Sequence, residues 1–300
     1  MILKPAAFQA CFANWLQSCA MRPLRRPASS NRSWRLMENV AAKSRSQERS
    51  RALHSVSVWA SEFGLSLGQV ACARNPTRSR PSRVTAACGH QGAIITIDAM
   101  GTQKAIASQI VEGEADYVLA LKGNQETLHQ AVMGAINKEW ENDFADVKAS
   151  RLQTSETAHG RAETRTYIQM AVPESLPGLK PWKGLKSIGV VVSDCVRNGK
   201  KTSEVRYYIS SLNVDAKRFA HAVRSHWGIE NACHWSLDVT YREDESRIRE
   251  KHLRENFAWL NRLTLSLLKQ HPGRDSLVMK RRSCGWSDDF LLQVLAGSTL

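Results

Sequence analysis

The chain has no CxxC pair; its seven cysteines stand alone at 11, 19, 72, 88, 195, 233 and 284. That scatter excludes a zinc ribbon or a dithiol redox motif and predicts incidental, reduced thiols. His226, Glu230 and His234 fall at spacings of four, which suggests a zinc site, but HExxH is absent and no third strong ligand is nearby, so the signal is weak. Apolar runs are short. Residues 93–97 and 188–192 are strand-length, and no run reaches the roughly 18 residues that cross a bilayer. Gln9, Asn14 and Gln17 break the apolar stretch near the N-terminus, which therefore reads as a helix over 5–20 and not a secretion signal. There is no internal repeat and no low-complexity tail. A cytoplasmic protein with no membrane partner is expected.

Acids are scarce relative to bases: 28 Asp and Glu against 42 Lys and Arg leave a net charge of +14. Such an excess suggests a polyanionic partner. Its distribution is uneven. Residues 22–51 carry +7 and residues 73–91 carry +4. Both stretches lack the periodicity of a helix or strand, so most of the basicity lies where a packed element is least expected.

Elsewhere the pattern is regular. HSVSVWA (54–60) and SLGQVAC (66–72) read as two strands. AIITIDA (93–99) reads as a buried strand, 102–113 as a helix capped by Thr102, DYVLALK (116–122) as a second buried strand, and 125–140 as a helix. Strand–helix–strand–helix order implies neighbouring parallel strands. Residues 150–212 turn β-rich, 215–239 are mostly helical, and two further helices are expected at about 251–270 and 287–296.

Asp98 ends a buried strand just before a glycine turn. The carboxyl ends of strands face the ligand crevice in open α/β sheets, so a carboxylate there can hold a metal ion. Capping the next turn is its ordinary alternative. Glu230 lies in RSHWGIENACHW, where helical spacing puts Trp227, Glu230, Asn231 and His234 on one face, with Trp227 and Trp235 as anchors. A plain surface helix would look the same. Lys122 and Asn124 in KGNQ stand between a strand and a helix, where backbone N–H groups can meet phosphate; a simple turn is the competing reading. His159, Arg161 and Arg165 crowd HGRAETR and suit phosphate contacts or a solvated strand edge, and Arg224 and His226 are added as DNA-contact candidates. YREDESRIRE (241–250) reads as a solvated charge run.

In order along the chain, ITIDAMGTQKAIASQIV, DYVLALKGNQ, HGRAETR, YYISSL and VRSHWGIENACHWSLDVTYRED resemble the DDE transposases of insertion sequences, in the branch of the H-repeat-associated proteins. The likeness is continuous from about 92 to 300 and good over 5–20 and 53–72. It implies a ribonuclease-H-like α/β fold: a mixed sheet flanked by helices, with a β-rich insertion at about 150–212 before the last catalytic helix. The domain would span 53–300, after an N-terminal helix and a disordered or frameshifted segment within 1–52. The resemblance also implies phosphodiester cleavage and strand transfer with two magnesium ions. Its partners would be DNA, at the element ends and the target, and a second copy of the chain in a homodimer on DNA. By motif, Asp98 is the second carboxylate and Glu230 the third. Val223, His226 and Leu237 occupy the spacings where relatives place a tyrosine, an arginine and a lysine, so only the glutamate transfers.

The first carboxylate should stand in an Asp-Gly-Lys motif upstream of residue 54, and none is present. The chain reads Leu36-Met37-Glu38-Asn39 there. ATG-GAA-AA read one base earlier after a G is GAT-GGA-AAA, which encodes Asp-Gly-Lys. Residues 74–79 and 83–92 give family-like text under similar one-base shifts. Compensated frameshifts would explain the missing motif, the lost periodicity and the local positive charge together. Such a copy would be a degenerate transposase without its first aspartate; a non-catalytic DNA-binding relic is the alternative. A metal-dependent hydrolase of unrelated function is a third reading, which the ordered motifs disfavour. In the encoding DNA, the Leu36 codon is expected to end in G and the Glu38 codon to be GAA. Any other base at either place removes the frameshift account.

Overall fold

A computed structural model describes residues 91–158, 160–179, 181–229 and 233–296, residues 4, 5 and 7, and the backbone of strands at 32–41, 53–60 and 65–72. The chain is mixed α/β. It divides into two compact units, one formed by residues 1–88 and 227–300 and the other by 89–226.

In the first unit, β1 (Arg32–Ala41), β2 (Leu53–Ala60) and β3 (Leu65–Cys72) form an antiparallel meander. Strand β1 corrects the expectation that 22–51 holds no regular element. Glu38 pairs with Val56 and Met37 with Ser57. A partner strand supplies the backbone hydrogen bonds that sequence periodicity alone did not signal. Residues 73–90, and nearly all of the helix expected at 5–20, lie outside the described residues.

The second unit is a six-stranded mixed sheet in the order β4 (Ala93–Ile97), β5 (Asp116–Leu121), β9 (Lys200–Ser210), β8 (Ser187–Arg197), β7 (Arg161–Ala171), β6 (Ala149–Ala158). Strands β4 and β5 are parallel and joined through α1 (Lys104–Glu112), as the alternating order predicts; all other pairs are antiparallel. Helix α2 (Glu126–Glu141) meets one face through an edge contact of His129 with Tyr207 at 5.4 Å. Helix α3 (Ala216–Ile229) covers the other.

The α3 face is built around Phe219. This ring is fully buried and packs edge-on to Tyr208 at 5.5 Å and Tyr167 at 6.5 Å. Gly189 makes room for it, since a Cβ there would sit 2.6 Å from Phe219 Cζ. Ile94, Val118, Val191, Leu212 and Val223 belong to the same cluster, with Ala220 and Ala222.

Four helices follow in the first unit: α4 (Trp235–Tyr241), α5 (Lys251–Gln270), α6 (Leu277–Trp286) and α7 (Asp288–Ala296). Helix α6 is additional to the two helices expected after residue 250; Ser276 caps it by accepting from Met279 N. Trp259, Leu263, Leu267, Leu268 and Val294 form the core there. The backbone N–H of Ser66 on β3 donates to Ser266 Oγ on α5 at 3.0 Å. The 241–250 run is not simply solvated. Glu243 is buried and accepts from Arg262 Nη1 at 2.9 Å, and the same nitrogen reaches Ala258 O at 2.7 Å. Trp235, expected as an anchor, is 60% exposed. Burial pushes the Cys233 thiol up to about 11, so it stays protonated and inert at neutral pH.

Gly189→Ala should destabilise the fold by about 1–3 kcal/mol, because the added methyl group meets a ring that has no room to retreat. Urea denaturation measures it, and a second change, Phe219→Leu, should recover part of the loss.

Candidate active site

Along β4, Ile94, Thr96 and Asp98 alternate onto the α3 face of the sheet. Ile94 enters the Phe219 cluster. Thr96 is buried, and its hydroxyl lies 3.1 Å from His226 Nδ1 on α3. Asp98 stands one step past the strand and is exposed. Its Oδ1 accepts from Gly101 N at 3.3 Å, capping the short 3₁₀ turn Ala99–Gly101. The capping alternative is therefore realised, through a long hydrogen bond that engages one of the two carboxylate oxygens.

The loops after β4 and β5 are fastened to each other. Thr102 does not cap α1, whose N-cap is Gln103. It is fully buried instead, with Oγ1 lying 2.7 Å from Ala120 O and 3.1 Å from Asp98 O. Asn124 Nδ2 donates to Ala99 O, and Gln125 Nε2 donates to Thr102 O at 3.1 Å. The KGNQ segment thus contains a 3₁₀ turn, Gly123–Gln125, whose two amides brace the Asp98 turn. Lys122 and Asn124 are both exposed beside it. Gly101 allows the turn to close against the strand, since a Cβ there would collide with Ile97 Cγ2.

The predicted arginines meet carboxylates. Arg161 pairs with Glu163, and Arg165 pairs with Glu163 and lies 3.5 Å from Glu156. Arg224 of α3 pairs with Glu156 of β6. Glu156 and Glu163 are direct cross-strand partners, a like-charge pair that these guanidinium groups offset. Sequence reading named the arginines but not Glu156, because which residues face each other depends on strand register. His159 and Glu230 lie outside the described residues, as do the side chains of Trp227 and the whole of Asn231.

Asp98 fits a hard divalent cation: it is an exposed carboxylate on a braced turn, with one oxygen unengaged among the described residues. The described residues contain no group of three or more potential metal ligands. No helix among them is long and apolar enough to cross a membrane.

Residues 28–267 match the family described as Transposase DDE domain. The chain is 39% identical over 260 residues to "Putative transposase YncI" of Escherichia coli O157:H7, covering 83% of this chain and 65% of that protein. It is 33% identical over 318 aligned positions to "H repeat-associated putative transposase YhhI" of Escherichia coli K12, covering 99% of this chain and 79% of that one. The chain thus spans about two thirds of YncI's length.

Thr102→Val keeps the shape but removes the hydroxyl between the two loops. It should cost about 1–3 kcal/mol. Amide exchange at Gly101 should also quicken beyond the rise that global destabilisation brings; exchange there that follows global stability alone would contradict the bracing role.

Proposed function

Because the chain belongs to the transposase DDE-domain family, we propose that it is an insertion-sequence DNA transposase of ribonuclease-H-like fold whose remaining metal-binding carboxylates are Asp98 and Glu230. The observation that carries the reading is Asp98 itself, exposed at the carboxyl end of a buried parallel strand and steadied by Thr102, Asn124 and Gln125. Glu230 enters through the family motif alone.

In intact relatives of this class, a pair of magnesium ions makes attack on an anionic phosphodiester feasible. In this chain Asp98 would supply one carboxylate to that pair and Glu230 another. Lys122, Asn124, His159, Arg161, Arg165, Arg224 and His226 are proposed to contact the DNA backbone. Homodimerisation on DNA and a cytoplasmic, nucleoid-associated location accord with that role.

The copy is proposed to be inactive. Met37-Glu38-Asn39 occupy the centre of β1, where the family's Asp-Gly-Lys is absent. Two carboxylates supply too little negative charge to hold two divalent cations close together. A DNA-binding relic would share this loss of cleavage, and the repaired chain separates the two readings.

In magnesium, the chain should neither nick nor join duplex DNA carrying element ends. The combined changes Met37→Asp, Glu38→Gly and Asn39→Lys, with the family-like reading of 73–91 restored, should recover strand cleavage. In that repaired chain, Asp98→Asn or Glu230→Gln should abolish it. Cleavage by the unrepaired chain would overturn the inactivity, and cleavage that survives both substitutions would overturn the assignment of the site.

A further inference from the structure

Two tight turns end the antiparallel part of the sheet at the same level. Asn198 and Gly199 both have positive φ and join β8 to β9 in a two-residue hairpin loop. Gly160, also at positive φ, closes the hairpin between β6 and β7. The register then fixes the last row of the sheet: Ala158 opposite Arg161, Arg161 opposite Arg197, and Arg197 opposite Lys200.

Three cations therefore stand side by side on adjacent strands, about 5 Å apart from one strand to the next. They share the face that carries Glu163 and Arg165, the same face that α3 covers further along the sheet. Arg161, Arg197 and Lys200 are all exposed. Arg161 has Glu163 as a partner. Arg197 and Lys200 reach no carboxylate among the described residues; the nearby Asp194 faces the opposite side, where it lies 3.9 Å from Lys201.

Like charges directly opposite each other weaken a sheet. Packing does not explain this row, because burial falls away along these strands: Ile188–Val191 are buried, while Arg197 and residues 200–205 are exposed. An external polyanion would offset the repulsion. Resting on the transposase reading, we infer that the row Arg161–Arg197–Lys200 at the end of the β6–β9 sheet is a docking surface for the phosphate backbone of duplex DNA. Duplex DNA presents about one negative charge per 1.7 Å of helix axis, so a row roughly 10 Å long meets several phosphates. Such contacts fix position on the duplex and carry no base sequence.

The test compares the full chain with the double variant Arg197→Gln/Lys200→Gln. The control is Lys138→Gln/Lys148→Gln, which removes the same charge from exposed sites away from the row. Affinity for a duplex of arbitrary sequence is measured across a salt series, with thermal stability in parallel. The tip variant should bind roughly tenfold more weakly at low salt, and its log-affinity against log-salt slope should flatten by about two, since two phosphate contacts are lost. The control should change affinity less than about twofold. Melting temperature should hold or rise in the tip variant as the repulsion is relieved. Equal affinity and slope in the tip variant and the parent would overturn the docking surface while leaving the DNA reading in place. Equal losses in the tip variant and the control would also overturn it, by showing a general charge effect. A fall in melting temperature would show the row to be structural. Absence of duplex binding by the parent chain would overturn the DNA reading itself, and the docking surface with it.

Discussion

The register of α3 against the six-stranded sheet governs the second unit. Phe219 sets it by lying in the space left by Gly189, between Tyr167 and Tyr208. Burying such a ring contributes about 1.5–3 kcal/mol. It also fixes geometry, because the ring has one pocket and its helix cannot slide without losing it. With Phe219 in place, Val223 falls on the same cluster and His226 reaches Thr96. These positions are spaced as one helical face, so a single buried ring fixes where Val223 and His226 meet the sheet.

The Asp98 turn is held by a second, separate set of interactions. Parallel strands leave their following loops side by side, and here the loops exchange polar contacts. Thr102 meets the end of β5, while Asn124 and Gln125 reach back to the turn after β4. The carboxylate can then stay exposed without being free to wander with its loop. The first unit uses a different device, a buried Glu243–Arg262 pair, to tie the segment after α4 to α5. Ion pairs of this kind are costly to break by removing one partner, because the other charge is left buried.

The arginines along β7 and α3 show how local charge and net charge differ. Arg161, Arg165 and Arg224, the candidates for phosphate contact, each also meet Glu156 or Glu163. Arg197 and Lys200, which reach no carboxylate among the described residues, end β8 and begin β9 on either side of their two-residue loop.

Period-two and period-3.6 patterns express which face is buried, so the parallel β4–α1–β5 unit, the β-rich segment and the place of Asp98 at the end of a strand were legible in the sequence. Its ordered motifs also determined the family. Only the tertiary structure decided that 32–41 is a strand, that Thr102 braces a loop instead of capping a helix, and that Glu243 is buried. Strand register decided that Glu156 faces Glu163 and that Arg161, Arg197 and Lys200 share a row. The physical reason is common to all of these. Each depends on a partner distant in sequence, supplied by a neighbouring strand or helix, and no local pattern of residues encodes which partner that is.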